Sequence, residues 1–203
     1  MGSDPIKRLR AGQSVDDQTW DDLYPGWVRD MSRIQWTPAT VARKAAEWLV
    51  DEPGTTVLDI GSGVGKLCLI GALSSEGVFT GVELRQRLVN VANAVARRHS
   101  IKRCSFVADD AQGLDWSAYS AWYLFNPFSE HLPGCHAVDE TISRSPDRFR
   151  RYVEMVETRM EAAAVGTRVV TYYGFGGEMP LDWEQVGLER MHGGLLELWI
   201  KQA

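Results

Sequence analysis

Apolar and polar positions along the 203-residue chain follow two regimes. The first 36 residues are polar and dotted with tryptophan (Trp20, Trp27, Trp36), with short amphipathic pieces and no strand-like run. Residues 1–36 are expected to form a helical cap or a partly mobile segment ahead of a single domain over residues 37–203. From Thr37 the pattern becomes regular. Thr37-Pro38 reads as an N-cap followed by proline at the first helical position, opening a helix to about Val50. Asp51-Glu52-Pro53-Gly54 breaks it.

Short apolar runs and amphipathic stretches then alternate. Thr55–Ile60, Val78–Glu83, Cys104–Ala108, Ser120–Phe125 and Thr167–Tyr173 read as strands. Lys66–Leu73, Arg85–His99 and Pro146–Val165 read as the helices between them. Strands joined through helices must run parallel, so the pattern predicts an α/β fold. Its sheet is Rossmann-like and doubly wound, mostly parallel, with helices on both faces. Gln185–Met191 and Leu195–Lys201, joined across Gly193-Gly194, predict a C-terminal hairpin that adds an antiparallel strand.

Composition narrows the class without changing the fold. Hydrophobic residues at 44% and charged residues at 24% suit one soluble core. A net charge of −5 and the lack of a clustered Lys/Arg stripe lead to the expectation of no nucleic-acid partner. No apolar stretch reaches the length of a membrane span, so no membrane partner is expected. Cys68, Cys104 and Cys135 are an odd set without paired spacing, which suits a reducing compartment. With no apolar signal-peptide core, a cytoplasmic location is expected. Oligomeric state has no sequence signature here.

The chemistry begins at Val57-Leu58-Asp59-Ile60-Gly61-Ser62-Gly63-Val64-Gly65-Lys66, between the first strand and its helix. A ligand must lie against backbone there, beside the free N–H groups of a helix N-terminus. A P-loop would need glycine where Ile60 stands and a hydroxyl where Leu67 stands, and fails twice. A dinucleotide fingerprint would need its third glycine at Lys66 and fails once. The acidic lead-in Asp59 and the G-x-G-x-G core resemble the first motif of the class I S-adenosylmethionine-dependent methyltransferases.

That resemblance implies roles for the other strand ends and extends over about residues 37–201. Asp59, with Gly61, Ser62 and Gly63, would order the loop under the methionine and ribose of S-adenosylmethionine. Glu83, followed by Leu84, would accept the ribose hydroxyls at the tip of the second strand. In Asp109-Asp110-Ala111, Asp110 would accept from the adenine amino group and Ala111 would offer its N–H. Trp36-Thr37-Pro38, with Thr37 as the contact, would close over the cofactor, or simply cap a helix packed on the sheet.

Asn126-Pro127-Phe128 ends the fourth strand and resembles the Asn-Pro-Pro-aromatic motif of methyltransferases that act on nitrogen. Asn126 and the proline-freed carbonyl would orient an amine, and Phe128 would stack on it. His131 is a candidate general base. An Asx-Pro turn with Phe128 plugging the core is the plain structural alternative. Glu130, His131, Cys135 and His136 match no common zinc spacing, and no metal is expected.

The resulting expectation is a methyltransferase that passes the methyl group of S-adenosylmethionine to an acceptor and releases S-adenosylhomocysteine. Nitrogen is favoured, and an oxygen or carbon acceptor stays open because Phe128 stands where the full motif has a second proline. Short loops favour a small-molecule acceptor over a protein side chain. A cofactor-binding regulatory or scaffold protein and an NAD-dependent oxidoreductase are the alternatives; Lys66 argues against the latter.

Overall fold

The computed structural model describes residues 4–203. Four short helices come first: α1 (Pro5–Arg10), α2 (Asp17–Asp21), α3 (Gly26–Asp30) and α4 (Ser32–Gln35). Then follow α5 (Ala39–Leu49), β1 (Thr56–Ile60), α6 (Lys66–Ser74), β2 (Val78–Glu83), α7 (Gln86–Arg98) and β3 (Cys104–Ala108). The chain continues through β4 (Ala121–Leu124), α8 (Pro146–Glu161), β5 (Arg168–Tyr172), β6 (Trp183–Met191) and β7 (Gly194–Lys201).

The seven strands form one sheet in the order β3-β2-β1-β4-β5-β7-β6. The first five are parallel, and β7 and β6 add antiparallel pairs at the far edge. Successive strands move outward from β1 in one direction and from β4 in the other. Their C-terminal ends therefore diverge between β1 and β4, where such sheets bind ligands.

Alternation along each strand feeds two cores. Val57 of β1 and Tyr123 of β4 face the cap, α5, α6 and α7. Leu58, Ile60, Trp122 and Leu124 face α8 through Tyr152, Val156 and Met160. Within residues 4–36, Ile6, Leu9, Val15, Trp20, Tyr24 and Val28 are buried in the first of these cores.

Two helix ends differ from the sequence reading. Thr37 does not cap α5, whose N-cap is Pro38. Asp17 Oδ1, from α2, accepts the Ala39 N–H at 2.7 Å instead. The Thr37 hydroxyl is turned inward, 3.1 Å from the Tyr123 hydroxyl. Helix α8 ends at Glu161 rather than Val165, because Lys201 Nζ reaches back from β7 to the Met160 and Glu161 carbonyls. Those are the orphan acceptors of a helix C-terminus.

Gly65 shows why the glycine loop can press on the sheet. Its φ is +74°, and a Cβ there would lie 2.3 Å from the Phe106 ring and 2.9 Å from Ala92 Cβ. The close approach that a dinucleotide fingerprint would place at position 66 is thus made one residue earlier. Gly65→Ala is expected to destabilise the fold by at least about 2 kcal/mol, combining left-handed backbone strain with overpacking. Urea unfolding would measure it, and a loss below about 0.5 kcal/mol would contradict this packing.

Candidate active site

The cleft opens at the divergence between β1 and β4. The Gly61 and Ser62 N–H groups both donate to the Val82 carbonyl, at 3.0 and 2.9 Å, which lays the glycine loop across the end of β2. Gly63 has φ +54°, and a Cβ there would lie 2.7 Å from the Trp36 ring. Trp36 is itself buried, with its indole N–H donating to the Val28 carbonyl at 2.9 Å. The loop is therefore sandwiched between the sheet and the cap. Gly61, Gly63 and Trp36 all line the cleft.

Glu83 is buried at the tip of β2 and faces the same space. Its Oε2 accepts from Gly63 N–H at 3.2 Å and its Oε1 from Arg85 N–H at 2.9 Å. Burial pushes its pKa up against the pull of those donors and of the Arg85 charge. A carboxylate has about four acceptor positions, so capacity remains for two hydroxyl donors from the cleft. Leu84 and Ala111 supply apolar lining beside it.

The other predicted residues divide. Asp59 lies beneath the loop and does not line the cleft; Cys68 Sγ is 3.4 Å from its Oδ2. Ser62 is buried, its Oγ without a hydrogen-bond partner among the described residues. Thr37 is held away by Tyr123. Of the two aspartates after β3, Asp109 lines the cleft and Asp110 does not. Asp110 is committed elsewhere: Oδ1 caps a short turn at Gln112 N–H, and Oδ2 accepts from the Tyr152 hydroxyl at 2.8 Å.

Burial raises the Asp59 carboxyl to about 7, with the Cys68 bond opposing and the Glu83 charge adding. The native state therefore holds a proton on Asp59 that the unfolded chain has already lost. This contribution to stability is full below about pH 3.8 and declines as pH rises to about 7. His131, lowered by its own burial, works in the opposite sense near its ordinary value. Asp59→Asn is expected to gain on the order of a few kcal/mol over the native sequence at pH 8, and little at pH 4.5. Urea titrations at the two pH values measure that difference, and equal gains at both would refute it.

On the other wall, Asn126 has φ +39°, a left-handed backbone that asparagine tolerates better than most residues. Its N–H donates to the Gly174 carbonyl at 3.0 Å. Its own carbonyl accepts from Ser129 N–H at 3.3 Å and closes a turn. Asn126 lines the cleft, and its side-chain amide makes no hydrogen bond among the described residues. Phe128 also lines the cleft, but Tyr152 is stacked on one face of its ring, centroids 4.6 Å apart and planes within 3°. His131 stacks on Tyr152 as well, buried, with Nδ1 unpartnered. A backbone turn closed by the Asn126 carbonyl and the lining of the cleft thus coexist in the same residues.

Tyr152 and Arg85 line the cleft beyond the predicted set, and Trp36 of the expected Trp36-Thr37-Pro38 closure lines it where Thr37 does not. Tyr152 lies on the apolar stripe of α8 with Val156 and Met160, which gives it the sequence signature of a core residue. Among the described residues no group of three or more His, Cys, Asp or Glu is placed to hold a metal ion, and no helix is long and apolar enough to cross a membrane.

Residues 51–128 match a family model described as a methyltransferase domain. An RNA methyltransferase from Salinibacter ruber, solved with S-adenosyl-L-homocysteine, superposes with a TM-score of 0.61 at 18% identity. The match covers 82% of this chain and 93% of that one. The magnesium protoporphyrin IX methyltransferase of Synechocystis PCC 6803, with bound SAM, gives 0.59 at 14% identity over 93% and 99% of the two chains. An rRNA methylase from Streptococcus thermophilus gives 0.53 at 14% identity over 81% and 96%. No curated protein matches the sequence significantly. The exclusion of nucleic acid drawn from net charge does not stand. An RNA methyltransferase and an rRNA methylase are among the similar structures, and overall charge does not report the local surface at a cleft.

Proposed function

From a chain with the class I S-adenosylmethionine-dependent methyltransferase fold, we propose a methyltransferase whose catalytic centre is the β1–β4 cleft and whose acceptor atom is nitrogen. S-adenosylmethionine is the cofactor and S-adenosylhomocysteine the product. The observation that carries this reading is Asn126, which lines the cleft with the glycine loop and whose side-chain amide makes no hydrogen bond among the described residues.

The residues present fit the cofactor. Gly61 leaves exposed backbone on the cleft, Gly63 lets the loop pass close under Trp36, and Glu83 offers a buried carboxylate with free acceptor capacity at the tip of β2. Gly61 and Gly63 would support the amino-acid and ribose parts, Glu83 the ribose hydroxyls, and Leu84, Asp109 and Ala111 the adenine. When bound, the cofactor supplies an electrophilic methyl group on sulfonium. The Asn126 amide accepts from the acceptor N–H and turns the nitrogen lone pair towards that methyl group. His131 provides an imidazole in the same cleft for the proton the nitrogen releases. Burial keeps this imidazole below its ordinary value, which leaves it neutral and able to accept. Positioning is the main contribution of such a site, since in-line transfer needs little acid–base assistance.

Saturating S-adenosylhomocysteine at about 100 times its dissociation constant is expected to stabilise the chain by roughly 2.7 kcal/mol. Glu83→Ala removes the ribose acceptor and should weaken binding about 10- to 100-fold, the worth of one or two hydrogen bonds to a charged group. Calorimetry with both proteins tests the cofactor site. Labelled methyl transfer into separated RNA, protein and small-molecule fractions then tests the reaction. No stabilisation by the ligand would sink the proposal. Binding with no labelled product in any fraction would favour a cofactor-binding regulatory protein.

A further inference from the structure

Arg85 lies just beyond Glu83 and Leu84, at the N-cap of α7, and its side chain is only 5% exposed. Its guanidinium forks onto Glu130, Nη1 to Oε1 at 3.0 Å and Nη2 to Oε2 at 2.8 Å. Nε donates to Asp139 Oδ1 at 3.0 Å, and Nη1 lies 3.8 Å from Glu83 Oε1. One buried cation therefore meets carboxylates from three chain segments: the end of β2, the turn after β4, and the loop between that turn and α8. One carboxylate would suffice to neutralise it; the other two tie the end of β2 to the wall beyond β4.

The loop needs such a tie. Residues 132–144 contain no helix or strand, yet His136 and Val138 line the cleft. On the cap side the loop is held by one long bond, Gln35 Nε2 to the His136 carbonyl at 3.4 Å. Arg87, which also lies over the Trp27 ring at 4.6 Å, adds a charge 3.0 Å from Asp139 Oδ2, without hydrogen-bond alignment. Val138 packs at the edge of the first core and His131 stacks on Tyr152, and the charged contacts add the tie to β2.

We propose that Arg85 is a positioning residue that holds the wall formed by residues 129–144 in register with Glu83, so that occupancy at Glu83 and order in that wall are coupled. Arg85 acts through Glu130, Asp139 and Glu83 rather than on the reacting atoms. The ligand half of this inference rests on the proposed cofactor reading; the unliganded half does not.

Hydrogen exchange on the full chain tests both halves. Without ligand, Arg85→Gln is expected to speed amide exchange across residues 129–144 at least about 10-fold while β1, β4 and α6 keep native protection. Glu130→Gln, which weakens the forked one of the two wall-side contacts and guards against a global failure of the arginine variant, should give the same local pattern. With S-adenosylhomocysteine, the native chain should gain protection at both the glycine loop and residues 129–144. In the two variants the gain should persist at the glycine loop and vanish at 129–144, a separation that a purely structural loss would not produce. Native-like exchange at 129–144 in both unliganded variants would overturn the proposal, as would ligand-induced protection there that survives both substitutions. Failure of the native chain to bind the ligand would count against the cofactor reading alone, and the unliganded comparison would still decide the role of Arg85.

Discussion

Asn126→Gly should leave a folded protein that still binds S-adenosylhomocysteine and has lost methyl transfer by about 100- to 1000-fold, the scale of removing one well-placed orienting group. Glycine is the informative replacement. It accepts the left-handed backbone at φ +39° without strain, so only the amide is lost. Alanine would add about 1–2 kcal/mol of backbone strain to the same deletion, and any loss of activity would mix two causes. Cofactor affinity in the glycine variant should fall by no more than about tenfold, since one neutral hydrogen bond contributes about 0.5–1.5 kcal/mol. Single-turnover rates at saturating cofactor measure the effect. Turnover within a few-fold of the native chain would remove Asn126 from acceptor orientation and leave the strand-end turn as its whole purpose.

The second large effect is on stability and comes from Lys66. Its side chain is 2% exposed, with Nζ 2.5 Å from Asp17 Oδ1, 2.8 Å from Asp21 Oδ1 and 3.3 Å from Ser32 Oγ. Those partners belong to α2 and α4, so one buried ammonium joins the cap to the first residue of the helix after the glycine loop. Lys66→Ala leaves Asp21, itself 10% exposed, without its counter-charge. Breaking a buried pair in this way costs about 3–5 kcal/mol, a large part of the 5–15 kcal/mol that holds an ordinary domain together. The double change Lys66→Met with Asp21→Asn should recover much of the loss, because it removes the unpaired charge as well as the pair. Because Trp36 rests on Gly63, the alanine variant should also bind S-adenosylhomocysteine more weakly than the native chain. Urea unfolding of the three proteins checks this, and a loss under about 1 kcal/mol for Lys66→Ala would mean the cap docks without the charge.

These two residues illustrate how unevenly the site is written in the sequence. Asn126 could be found locally, as an amide ending an apolar strand and followed by proline. Lys66 entered the sequence reading only as the residue that spoils a third glycine, and its partners lie 45 and 49 positions away. Asp109 and Asp110 are adjacent and chemically identical. The hydroxyl of Tyr152 on α8 engages Asp110 and leaves Asp109 on the cleft. Arg85 reads as the ordinary start of an amphipathic helix until Glu130 and Asp139 fold against it.

The sequence by itself determined the alternation of strands and helices, the C-terminal hairpin, the glycine loop and the acidic strand end at Glu83. Each follows from side-chain period or backbone freedom within about ten residues, and neither needs a distant partner. Tertiary structure alone decided the strand order that opens the cleft between β1 and β4, the docking of the cap through Lys66 and Trp36, which aspartate faces the cleft, and the Arg85 tie across it. Those depend on charges and rings that meet only after the sheet has formed, and a buried charge is settled by its neighbours in space rather than by its neighbours in sequence.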